Sequence, residues 1–159
     1  MASACPRSIS TPHAFSVVSV LLILVGCAPR GVAPGEGPPA LVLGTFEDDY
    51  GSTYAITETT WHHQGYARYE IHSWMSGADK GYLVAQNAED NPSAGGAWTR
   101  IDWVRLDDMA PYTWAFCLSA YEAATREEAA STTIARTDTP RTGCNGYPFS
   151  RMRKVTEDG

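Results

Sequence analysis

Three histidines, His62, His63 and His72, are the side chains best suited to chemistry in this 159-residue sequence. Imidazole binds zinc and exchanges protons near neutral pH, so three of them within one hairpin's reach suggest a metal-assisted hydrolysis. A chain reversal at Gln64-Gly65 would carry His72 back across from a strand ending in the adjacent pair. Neighbours on a strand point to opposite faces, so at most one of His62 and His63 can share a site with His72. No carboxylate stands at a recognised metal-motif spacing. The favoured reading is therefore exposed histidines at a hairpin end, with no cofactor, and a metal-dependent hydrolase is kept as an alternative.

A second constellation is Trp98, Arg100 and Asp102, which alternate with Ile101 and Trp103 and so share one face of a strand. If that face points inward, a buried charged pair must recover its desolvation energy by pairing or through a ligand, and these residues form the floor of a ligand pocket. If it points outward, they form a surface salt bridge. The acidic runs Glu47-Asp48-Asp49 and Asp107-Asp108 do not follow calcium-loop spacing and read as solvated turns. The chain has no Gly-x-Ser-x-Gly elbow, glycine-rich phosphate loop, His-Glu-x-x-His helix or Cys-x-x-Cys pair. That pattern favours binding over catalysis.

The elements that must position these residues are strands. From Leu41 onward, runs rich in Thr, Val, Ile, Tyr and Trp recur between turn signals, as in an antiparallel all-β meander. About seven strands are expected: Leu41 to Glu47, Thr53 to His62, Ala67 to Met75, Tyr82 to Gln86, Trp98 to Leu106, Tyr112 to Leu118 and Phe149 to Val155. In the third, Tyr69 and Ile71 share one face, with Arg68, Glu70, His72 and Trp74 on the other. Thr125-Arg126-Glu127-Glu128 has the capping-box arrangement and predicts one short helix over Thr125 to Ala130. Such a meander can close into a barrel or stack as a sandwich, and the barrel is preferred.

The N-terminal forty residues have a different character. Phe15 to Val25 is apolar apart from two serines, follows a leader with a single fixed charge at Arg7, and stops at Gly26-Cys27. The run is too short to cross a bilayer and has signal-peptide anatomy. Leu24-Val25-Gly26-Cys27 resembles the lipobox of bacterial lipoproteins. The resemblance implies cleavage before Cys27, a diacylglyceryl thioether on its sulfur and a new N-terminus acylated by a chain such as palmitate. Several acyl chains together anchor durably where one binds reversibly. Ala28, rather than aspartate, after that cysteine implies sorting to the outer membrane, facing the periplasm or the cell surface. Residues 1–26 are then a signal peptide, 27–40 a lipidated Pro- and Gly-rich tether, and 41–159 a single β-rich domain.

With Cys5 lost in the leader and Cys27 lipidated, Cys117 and Cys144 remain and are expected to form one disulfide. Closing a loop of that length stabilises a fold by roughly 3 kcal/mol in the chain-entropy model.

Gly44-Thr45-Phe46, a turn and Gly51-Ser52-Thr53 resemble the opening hairpin of small ligand-binding barrels of the lipocalin and avidin type. Tyr82 to Asn87, Trp98 to Trp103 and Cys144 to Pro148 are similar to uncharacterised domains of exported bacterial lipoproteins. The formal net charge of -6 argues against nucleic acid as a partner, and the short run Arg151, Arg153 and Lys154 reads as the solvent face of a last strand. The expected partners are the membrane, through the lipid anchor, and an unidentified small ligand or envelope protein. A structural surface protein without a ligand is the third alternative.

Overall fold

The computed structural model describes residues 37–155. Cys27, the expected signal peptide and most of the expected tether lie outside the described residues. Eight antiparallel strands follow one another around a closed barrel, each paired with its sequence neighbour and the last with the first. They are β1 (Gly44–Asp48), β2 (Thr53–Ile56), β3 (Thr60–His63), β4 (Ala67–Ser76), β5 (Lys80–Asn87), β6 (Trp98–Arg105), β7 (Trp114–Ala123) and β8 (Ser150–Lys154). A 3-10 turn, Ala40–Val42, precedes β1 and buries Val42 in the core. One helix, α1 (Arg126–Ser131), interrupts the meander between β7 and β8.

The eighth strand arises where one long strand, Thr53 to His62, is expected. The Thr57 hydroxyl accepts hydrogen bonds from the amides of Thr59 and Thr60, at 3.3 and 2.9 Å. A threonine that bonds forward to the backbone makes a turn of its own, and here it folds the segment into the β2–β3 hairpin. Strand β7 also runs five residues further than its β-branched and aromatic stretch suggests. Ala120 and Ala123 are held opposite Arg100 and Trp98 of β6, so pairing overrides the weak strand propensity of Ser-Ala-Tyr-Glu-Ala.

Inward-facing side chains fill the lumen. Phe46, Tyr54, Ile56, Trp61, Leu83, Ile101, Trp103, Trp114 and Met152 form one buried cluster. Trp114 stands edge-on to both Phe46 and Trp61, with centroids 5.2 and 5.9 Å apart. Such aromatic pairs contribute about 0.5–1.5 kcal/mol beyond their buried area.

A β-bulge between Ile71 and Ser73 corrects the expected facing of β4. The extra residue reverses the alternation, so Trp74 turns inward with Tyr69 and Ile71 instead of outward with Arg68 and Glu70. The Trp74 indole N–H donates to the Glu58 carbonyl at 2.8 Å, which satisfies its polar edge inside the barrel wall.

The chain between β7 and β8 is a strap laid over the outside of β5, β6 and β7. Thr125 caps α1 by accepting from the Glu128 amide at 3.1 Å, while Glu128 reaches back to the Ala124 amide at 3.0 Å. Ala129 packs against Val84 and Ala123 of the barrel's outer face. Further along, Cys144 bonds to Cys117 of β7, with Cα atoms 5.5 Å apart. Phe149 then settles against Val104, Ala115 and Cys117.

Candidate functional site

The lumen is filled, and open volume lies outside the barrel wall. A cleft of about 600 Å³ runs between the strap and the β7–β8 pair, a size typical of small-molecule sites. Ala115 of β7 and Phe149 at the end of the strap form its floor. Leu106 and Met109, from the β6–β7 connection, make one wall, and Pro140 and Pro148 of the strap another. Two prolines in this wall hold the backbone at fixed φ, and the Phe149 amide donates to the Pro140 carbonyl at 2.8 Å, which joins this wall to the end of the strap. The disulfide ties it to the strand beneath.

The rim is polar and charged. Tyr50 and Asp49 reach it from the β1–β2 turn, and Arg141 and Arg151 from the strap and β8. Arg151 donates through Nε to Asp49 at 2.9 Å, and its guanidinium lies 4.7 Å from the centroid of the Tyr112 ring. Asp49 also accepts from the Arg151 amide at 3.2 Å, which joins the first turn of the barrel to its last strand. The preceding carboxylate, Asp48, is buried and wholly occupied. It accepts from the amides of Tyr50 and Ser52 and from the Tyr54 hydroxyl, at 2.9, 2.8 and 2.9 Å. Burial and then the Asp48 carboxylate push the Tyr54 hydroxyl far up from its ordinary pKa. The acidic run Glu47-Asp48-Asp49 thus builds a turn and two ion pairs, the second between Glu47 and Arg153 at 2.6 Å.

The Trp98, Arg100 and Asp102 face points away from the lumen, which Ile101 and Trp103 enter instead. It does not meet open water either, because α1 covers it. Arg100 makes a two-pronged bond to Asp102 at 2.9 and 2.7 Å, donates to the Ala130 carbonyl at 2.6 Å and lies 3.7 Å from the Tyr82 ring centroid. Asp102, 4 % exposed, also accepts from the Ser119 hydroxyl. These contacts make the pair a clamp between helix and barrel, on the outer face that α1 covers.

The three histidines go to separate places. His62 faces outward opposite Arg68. His63 faces inward at the barrel mouth, stacked on Tyr54 at 4.5 Å and tilted against Tyr66 at 5.0 Å. Burial lowers its pKa from the ordinary histidine value, with Asp48 acting in the opposite sense. His72 sits in the β4 bulge against Trp98, 4.8 Å between centroids. Among the described residues, no three His, Cys, Asp or Glu side chains converge as metal ligands. A smaller hollow of about 220 Å³ opens at the mouth beside Tyr66, Tyr69, Leu118 and Tyr121.

Sequence reasoning missed the cleft. Met109, Arg141 and Phe149 come from two loops and a strand start that no periodicity links, and only the Cys117–Cys144 pairing hinted that these regions meet. Among the described residues no helix is long and apolar enough to cross a membrane. No protein-family model, curated protein or solved structure matches the chain.

Proposed function

We propose that this chain is exported, carried on the outer membrane by lipid on Cys27, and that its barrel binds a ligand or protein partner of the envelope in the cleft beside the strap. The observation that carries the binding role is the placement of open volume: aromatic side chains fill the lumen, while a cleft of about 600 Å³ with an apolar floor and charged rim remains on the outside. The lipobox-like Leu24-Val25-Gly26-Cys27 and the Pro- and Gly-rich segment after it support the address. The filled lumen separates this barrel from ligand-binding barrels that hold their cargo inside.

Native mass spectrometry of the protein purified from its host tests the reading. A species should co-purify and be lost from a Met109→Trp variant, whose indole obstructs the cleft from its wall. Repeated isolation of bare protein would favour a structural surface protein without a ligand. Intact mass of the mature chain tests the address, which requires acyl groups on a polypeptide beginning at Cys27.

A further inference from the structure

We infer that the cleft's ligand is an amphiphilic monocarboxylate, an apolar chain of medium-chain fatty-acid size ending in one carboxylate. The inference rests on the cleft being the binding site and adds the chemistry of what enters it. Charge is the first argument. The rim carries two guanidiniums, Arg141 and Arg151, and one carboxylate, Asp49, already bonded to Arg151. One positive charge is left over, on Arg141, which is exposed and makes no ion pair among the described residues. Asp107 and Asp108 belong to the neighbouring connection but do not line the cleft. A chain whose formal charge is -6 thus presents a net cation beside this apolar cleft.

Valence and shape narrow the ligand. A single uncompensated guanidinium matches one negative charge, and its planar fork fits a carboxylate with two parallel hydrogen bonds. A dianion would leave one charge facing Asp49. The floor and walls, Ala115, Phe149, Leu106, Met109, Pro140 and Pro148, offer no polar side chain to a ligand's body. A sugar or nucleotide would lose water there without replacement bonds, whereas an alkyl chain gains about 0.8 kcal/mol for each methylene buried. Met109 adapts its shape to such a chain without strain.

Isothermal titration of the full chain with octanoate, octanol, octylamine and acetate provides the test. Octanoate should bind at one site, octanol about fivefold more weakly, as an exposed ion pair contributes at most about 1 kcal/mol. Octylamine and acetate should give no measurable binding. Arg141→Glu should weaken octanoate about tenfold or more and let octylamine bind, whereas Arg126→Glu, the same charge change on α1, should leave octanoate unchanged. Equal binding of octanoate and octylamine, or octanoate binding indifferent to Arg141→Glu, overturns the inference. If no eight-carbon compound binds but Met109→Trp still strips the species retained from the host, the cleft stands as a binding site and the monocarboxylate falls. If Met109→Trp changes neither the retained species nor the titration, both fall together.

Discussion

At the residue scale, the Arg100–Asp102 pair beneath α1 and His63 at the barrel mouth set how this small barrel responds to substitution and to pH. The Arg100 and Asp102 side chains are only 13 % and 6 % exposed. A buried ion pair is weak evidence of net stabilisation, yet removing one partner strands the other charge. Asp102→Ala should therefore destabilise the protein by about 3 kcal/mol, the low end for a broken buried pair, because Arg100 keeps the Ala130 carbonyl and the Tyr82 face. Replacing both residues, Arg100→Met with Asp102→Leu, should recover most of that loss in urea unfolding. A double variant no more stable than the single one would mean that the pair itself, and not the stranded charge, carries the energy. His63 gives a pH signature. Its folded pKa is lowered by burial, so the unfolded chain binds the extra proton more readily and unfolding is favoured as pH falls through the ordinary histidine range near about 6.5. The urea midpoint of the wild type should fall between pH 7.5 and 5.5, a window in which ordinary carboxylates stay ionised, and His63→Gln should flatten that slope.

At the scale of elements, the strap and the β4–β5 hairpin carry the clearest consequences. Reducing the Cys117–Cys144 bond, or replacing both cysteines with alanine, should lower stability by about 3 kcal/mol while the barrel persists, since all eight strand pairings are independent of it. Trypsin should then cut first at Arg136 or Arg141, both exposed on the released strap; first cuts within the barrel strands would show that the strap is not the less stable unit. In the hairpin, a Cβ on Gly81 would run into the Met75 carbonyl and lie 3.0 Å from the Trp103 indole nitrogen. Gly81→Ala should cost about 1–3 kcal/mol, as overpacking does. These elements also mark what a single sequence reveals. The strands, the capped helix and the disulfide are local or countable features: alternation at Tyr54 and Ile56, Thr125 ahead of Glu128, two cysteines left once Cys5 and Cys27 are assigned to the expected leader and lipobox. The bulge at His72 is not local, because one inserted residue reverses every later side chain, and it sent Trp74 to the wrong face. Nor is the covering of Arg100 and Asp102, since alternation tells which residues share a face but not what is laid on it.

At the scale of the whole molecule, every pairing that closes the barrel, including β1 with β8, lies between Gly44 and Lys154. The lumen is likewise filled by residues from Val42 to Met152. That construction is complete within the described residues, so address and fold should separate cleanly under mutation. Cys27→Ser removes the sulfur on which the proposed thioether forms. Several acyl chains anchor durably, whereas a chain without them has only weak attraction to an anionic surface, further opposed by its negative charge. The variant should therefore leave the membrane fraction and lose labelling by radioactive palmitate. Its thermal unfolding midpoint should stay that of the wild type, because the aromatic core and the Arg100 clamp are untouched. Retention of Cys27→Ser in washed membranes would show that the barrel itself, which exposes Tyr50, Tyr66 and Tyr121, holds the surface, and lipid would then have no part in placing the cleft.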